Sequence, residues 1–312
     1  MKASTNIAAA AALLGLLAAT PAFAVDWAKV PGKDVTLLFP AQSSYEWVLT
    51  PSEHSGGFKI REGKNCHECH TGEENTMGDL LVSGKKNEPA PIAGKPGFVK
   101  ANVKFAHDDK NFYVHLDFAP GNQPDAKMDA ANETKVTMII NDGGVAESNR
   151  FGCWAACHDD AASMPSANGA ERTKYLLKTH AKVTRQGGGD ELKPADELAK
   201  LKASGYELEY WQARLNPGAK AVGVAGTIFD KREELKNSAV TADATFAGGI
   251  WSVTLTRPLV AGAPYKDLVA GKTYTIGFAI HAGHTARRAH YVSFERTLVL
   301  DQGAGDFVAT KQ

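Results

Sequence analysis

Phe112-Tyr113-Val114-His115-Leu116-Asp117-Phe118 is the stretch on which the fold of this chain turns. Phe112, Val114, Leu116 and Phe118 alternate with Tyr113, His115 and Asp117, the period of two that sends successive side chains to opposite faces of a half-buried strand. Val103 to Ala106 leads into it through the polar turn Asp108-Asp109-Lys110-Asn111, so the two segments read as a hairpin. Val35 to Phe39, Val136 to Ile140, Tyr206 to Arg214, Trp251 to Arg257, Tyr274 to His281 and Tyr291 to Leu300 carry similar strand signals. Helical patterning is best in Arg172 to His180 and Ala195 to Ala203. Short strands separated by turn clusters, without regular intervening helices, predict a mainly β fold: an antiparallel β-sandwich over residues 97–312.

The chain before that point reads differently. Lys2, the apolar run Ile7 to Ala19 and the small-x-small site Ala22-Phe23-Ala24 form a signal peptide over residues 1–24, with cleavage after Ala24. The apolar run is shorter than the ~20 residues of a membrane span, although an uncleaved anchor is the alternative. An exported, periplasmic chain without stable membrane insertion is therefore expected. Residues 25–96 are rich in Gly, Pro and polar side chains and read as an irregular N-terminal segment. Within it, Lys85 to Pro96, with Pro89 and Pro91, reads as a linker or an extended crossing segment. The 35 Lys and Arg balance 35 Asp and Glu, so no net field favours nucleic acid or an anionic surface.

Cys66-His67-Glu68-Cys69-His70 lies inside this irregular segment. Two thiols at this spacing followed at once by histidine form the attachment motif of a c-type haem, with His70 as the proximal iron ligand. A redox disulfide and half of a zinc site are the alternatives. The other two cysteines form a stretched copy, Cys153-Trp154-Ala155-Ala156-Cys157-His158. It reads as a second attachment site with one bulged residue, or as a small disulfide loop beside a surface histidine. For the first haem, His54 in Glu53-His54-Ser55-Gly56-Gly57 is the expected distal ligand, because the glycines let a loop fold over the haem face. Met77 is the alternative, and would raise the potential. His67 lies inside the attachment loop and is poorly placed to reach the opposite face.

Other residues carry weaker signals. His281, His284 and His290 have a spacing that suits zinc, but His281 is out of phase with the apolar face of Tyr274, Ile276, Phe278 and Ile280. His107 beside the hairpin turn and His115 on the polar strand face are expected to be solvated. Arg287 and Arg288 suit haem propionates, or are exposed arginines beside a turn.

The run Phe151-Gly152-Cys153-Trp154 through Cys157-His158-Asp159-Asp160 to Ser163-Met164-Pro165 resembles a c-type branch of a haem-binding family. That family is the ethylbenzene-dehydrogenase and dimethylsulfoxide-reductase-like haem-binding domain, found in cytochromes and in gamma subunits of periplasmic molybdoenzymes. Further resemblance lies in Ala106-His107-Asp108, Tyr210-Trp211-Gln212-Ala213-Arg214 and Gly277-Phe278-Ala279-Ile280-His281-Ala282-Gly283-His284. It extends to Leu38-Phe39-Pro40 and Gln42-Ser43-Ser44-Tyr45-Glu46-Trp47. The resemblance implies a β-sandwich with one haem between its sheets, b-type in the gamma subunits and held by Met and Lys. This chain departs at both positions. Cys153 to His158 falls where the Met-bearing loop would be, so His158 would replace Met. His290-Tyr291-Val292-Ser293 takes the register of Lys-Ser-Val-Ser, which makes His290 the distal ligand.

The function expected is a periplasmic dihaem cytochrome c with two covalent haems, both axially saturated. It would exchange electrons with redox proteins such as a quinol-linked cytochrome or a periplasmic oxidoreductase. The alternatives are an electron-transfer subunit of a molybdoenzyme and a haem enzyme with one open iron position.

Overall fold

A computed structural model describes residues 25–184, 187–188 and 191–312. The expected signal peptide lies outside the described residues. In chain order the strands begin with β1 (Gly32–Leu38), β2 (Phe98–His107), β3 (Asn111–Phe118) and β4 (Thr134–Asn141), followed by the two-residue pair β5 (Val183–Thr184) and β6 (Gly187–Gly188). Then come β7 (Leu208–Leu215), β8 (Val222–Ile228), β9 (Arg232–Glu234), β10 (Thr241–Ala247), β11 (Ile250–Pro258) and β12 (Tyr274–His281). The last three are β13 (Tyr291–Val292), β14 (Arg296–Leu300) and β15 (Phe307–Lys311). The helices are α1 (Tyr45–Leu49), α2 (Gly57–Arg61), α3 (Cys66–His70), α4 (Glu74–Val82), α5 (Ser148–Phe151) and α6 (Ala195–Ala203), with 3-10 turns at Gly152–Ala156 and Leu177–Thr179.

The strands other than β5 and β6 form one hydrogen-bonded system that folds into two layers. One layer runs β10-β11-β3-β2 and the other β12-β4-β7-β8-β9. They are joined twice along the same edge. β1 pairs antiparallel with both β2 and β13, and β15 pairs parallel with both β14 and β2. The inward side chains meet across the gap, with Phe105 of β2 at 6.3 Å from Phe278 of β12 and Phe112 of β3 edge-on to Trp211 of β7 at 5.9 Å. Phe112, Val114, Leu116 and Phe118, the alternating set of β3, all face this core. An ion pair is buried with them: Arg257 Nε lies 3.2 Å from Glu209 Oε1, and both side chains are almost wholly excluded from water.

The N-terminal segment is built into this scaffold. β1 pairs with β2 along its whole length. α4 packs on β1 and β2 so closely that a Cβ on Gly78 would lie 2.1 Å from the Gly97 carbonyl oxygen, a contact only glycine permits. Val48, Ile60, Cys66 and Leu81 share one apolar cluster with the strands. The segment expected to be irregular carries four short helices, two of them capped: Ser44 Oγ accepts from Trp47 N and Asn65 Oδ1 from Glu68 N.

Three local expectations need correction. Arg172 to His180 is not a helix beyond the turn at Leu177–Thr179. Its backbone bonds elsewhere, with Leu176 N donating to the Phe229 carbonyl and the Arg172 carbonyl accepting from Ala162 N. Tyr291 to Leu300 is not one strand but β13 and β14, broken at Ser293–Glu295. There Ser293 Oγ accepts from Phe278 N, and Phe294 and Glu295 leave the pleat for other partners. His107 and His115 are buried rather than solvated. His107 Nε2 meets Asp301 at 2.8 Å, while His115 stacks on Trp27 at 4.5 Å and bonds Thr254.

Candidate cofactor sites

The first site is assembled around α3. Asn65 caps this five-residue helix, so Cys66 and Cys69, three apart, share one face and His70 ends it. Beside it lies a cavity of about 550 Å³, lined by Cys66, Cys69, His54, His70, Trp154 and Phe294 among others. None of the four cysteines is in a disulfide. Cys66 is buried, and that burial pushes its thiol pKa up.

His54 and His70 face each other with ring centres 5.9 Å apart. Two imidazoles bound to one metal ion from opposite sides, each through a bond of about 2 Å, place their ring centres about 6 Å apart. Each ring is also held from behind. His54 Nδ1 donates to the Val48 carbonyl at 2.9 Å, and His70 Nδ1 lies 2.9 Å from Glu73 Oε2. This leaves both Nε2 atoms for a ligand, the arrangement in which an outer partner orients a metal-bound histidine. Burial lowers the His54 pKa, which favours the neutral, ligating form. Gly56 makes room for the ring, since a Cβ there would lie 3.0 Å from His54 Cε1. Met77 also lines the cavity. These residues fit a covalently tethered haem.

A second cavity, of about 290 Å³, is lined by Cys153, Cys157, Ile139, Tyr210, His281 and His290 among others. It does not lie between the two layers, where a haem was expected: Phe105, Phe112, Trp211 and Phe278 fill that space. Instead it lies on the outer face of the layer β12-β4-β7, under the 3-10 turn Gly152–Ala156 and the Arg287–His290 segment. This explains the phase of His281, which projects from β12 on the face opposite the core. Its ring stacks on His290 at 4.9 Å, and both donate to the Arg287 carbonyl, from His290 Nδ1 at 2.7 Å and from His281 Nε2 at 3.1 Å. Burial holds both pKa values well below the ordinary range, so both rings are neutral. His284 does not join them, because its Nδ1 is bonded to the Asp129 carbonyl at 2.8 Å.

Cys153 Sγ sits where a Cβ on Gly277 would lie 3.3 Å from it, so that glycine lets the thiol reach the sheet. Burial raises the pKa of both thiols, that of Cys157 to about 11. Lys135, Lys174, Arg214, Arg232 and Arg287 supply positive charge around the cavity. Arg288 is already committed to a bidentate pair with Glu88 and to the Ser163 carbonyl.

His158 is not among the residues that line this cavity. It is fully buried nearby, stacked on Tyr175 at 4.2 Å and on His180 at 5.0 Å. Its Nδ1 lies 2.7 Å from Glu46 Oε1, and its Nε2 has no hydrogen-bond partner among the described residues. Asp160 and His180 lie close enough to share one ion with it. A histidine backed by a carboxylate through one nitrogen and unpaired at the other suits metal ligation.

The two cavities share a wall that the sequence reading missed. His70 packs on Phe294 at 6.1 Å, Phe294 on Trp154 at 5.8 Å, and Trp154 follows Cys153 directly. Glu46 and Glu295 were missed as well. Their partners are remote in sequence, His158 for Glu46 and the backbone of His67 for Glu295.

Known proteins resemble this chain over most of its length. Residues 223–293, from β8 to the segment after β13, match the family model described as ethylbenzene dehydrogenase. Cytochrome c-552 of Stutzerimonas stutzeri is 33% identical over 302 residues, covering 96% of this chain and 94% of that protein. Cytochrome c-551 of Rhodocyclus tenuis is 28% identical over 293 residues, covering 93% of this chain and all of that protein, 100%. With attachment motif, facing histidines and full-length similarity in agreement, the chain belongs to the cytochrome c family that includes these two proteins.

Proposed function

We propose that this protein is a periplasmic dihaem cytochrome c that relays single electrons between redox partner proteins. Its relatives are named as cytochromes c, and haem c with electron transfer is the activity those names carry. The observation that carries the reading is the His54–His70 pair, 5.9 Å apart beside Cys66 and Cys69, with one nitrogen of each ring fixed by the protein.

At the first site Cys66 and Cys69 would hold the ring by thioether bonds, with His70 and His54 as axial ligands. At the second, Cys153 and Cys157 would tether the ring against β12 and β4, with His290 and His158 as ligands. His158 is assigned by its place after Cys157 and by its unpaired Nε2. Haem supplies one-electron chemistry when bound, and the chain sets potential through ligand, burial and charge. The protein's own part is to aim each imidazole, and burial keeps those of His54 and His290 neutral. The first site opens at Phe58 and Leu80, which are 50% and 42% exposed. Lys59 and Lys86 flank that opening, so the first site is where a partner would exchange electrons.

Among the described residues no helix is long and apolar enough to cross a membrane. The match to the ethylbenzene dehydrogenase model favours a second reading, an electron-transfer subunit of a larger oxidoreductase. Stable copurification with a catalytic subunit would support that reading. Low-temperature electron paramagnetic resonance of the oxidised holoprotein tests the first. Two low-spin ferric signals are expected; a high-spin signal that responds to added small ligands would contradict axial saturation.

A further inference from the structure

Glu295 occupies the break between β13 and β14, in the wall between the two cavities. It is 5% exposed. Its Oε1 accepts the backbone N–H of His67, inside the Cys66–Cys69 loop, at 2.9 Å. Gly152, immediately before Cys153, lies against it, and a Cβ there would come within 3.2 Å of Glu295 N. The preceding residue, Phe294, is the ring between His70 and Trp154. Oε2 is buried without a hydrogen-bond partner among the described residues.

The groups around this carboxyl do not neutralise it. α3 presents Cys66 and His67, the 3-10 turn presents Cys153, β14 presents Arg296, and Asp306 stands before β15. Arg296 Nη1 is bonded to Glu295's own carbonyl at 3.1 Å rather than to the carboxylate. A carboxylate with one oxygen desolvated and unpaired is costly as an anion, so this group holds a proton more readily than an exposed carboxyl. Burial accordingly raises its pKa to about 7.

We propose that Glu295 is a redox-linked proton acceptor for the site at Cys66–Cys69. When a partner protein delivers one electron to that site, Glu295 Oε2 takes one proton from solvent. When the electron leaves, the proton returns to solvent, so the charge in this buried wall stays constant through the cycle. The inference rests on a haem at Cys66–Cys69 and needs no second haem. An added negative charge beside a carboxylate raises its proton affinity, so the reduced form binds the proton more tightly than the oxidised form. The potential must then fall as pH rises through neutrality.

Spectroelectrochemical titration of the holoprotein between pH 5.5 and 8.5 tests this, with covalent haem counted by intact mass on the same sample. In the wild type the potential of the first haem should fall with rising pH. Glu295→Gln should be flat over that window and should lie above the wild type at its alkaline end, with haem count and spin state unchanged. An equal pH dependence in both proteins, or none in the wild type, would overturn the proposal. If the variant fails to fold, infrared difference spectra of the wild type decide: a protonated-carboxyl band should grow on reduction near pH 7, and its absence would count against Glu295. A mass of one haem would refute the dihaem reading while leaving this test intact at the first site.

Discussion

His54 and His70 are held by different means, and the difference governs how each would respond to change. His70 follows Cys69 directly, so the attachment motif itself brings it to the cavity. His54 depends on the Val48 carbonyl and on Gly56 for its ring position. His290 likewise depends on one carbonyl, that of Arg287, which it shares with His281. His54→Ala should convert only the first haem to high spin, and His290→Ala only the second, read as separate losses in the low-spin resonance signals. An unchanged spectrum in either variant would remove that residue from the ligand set. The attachment motif was legible because its chemistry is local in sequence. Glu46 and Glu295 were not legible, because they act on partners 112 and 228 residues away and no spacing rule reaches that far.

Among the elements, β12 ran over the span its alternation predicted, Tyr274–His281, and α6 over Ala195–Ala203. Their patterns are set by one buried or one solvated face. β13 and β14 read as a single strand because Phe294 and the strand-forming residues around it fit the period of two. Only the wall between the cavities explains why Phe294 and Glu295 turn out of the pleat. The core also holds a feature that hydrophobic patterning cannot show, the buried pair of Arg257 on β11 and Glu209 on β7. Glu209 further accepts from Lys266 N at 2.6 Å. Arg257→Met should lower stability by about 3–5 kcal/mol in denaturant unfolding, because Glu209 is left charged and unpaired. Adding Glu209→Met should recover most of that loss. A double variant as unstable as the single one would show that packing around Arg257, and not the unpaired charge, dominates.

In the whole molecule, the two-layer β scaffold was legible from strand number and turn spacing, whereas the cofactor position was not. A haem between the layers would compete with the packed aromatic core, and burying each such side chain contributes about 1.5–3 kcal/mol. The chain instead places one cavity on the outer face of a layer and the other under its N-terminal helices, with Trp154 and Phe294 packed between. The central claim is that both cavities take covalent haem. Intact mass spectrometry of the holoprotein and of the double variant Cys153→Ala, Cys157→Ala tests it most directly. The account predicts a wild type carrying two haems and a variant carrying one, with the first-site spectrum preserved. A wild type carrying one haem, or a variant that keeps two, would contradict it.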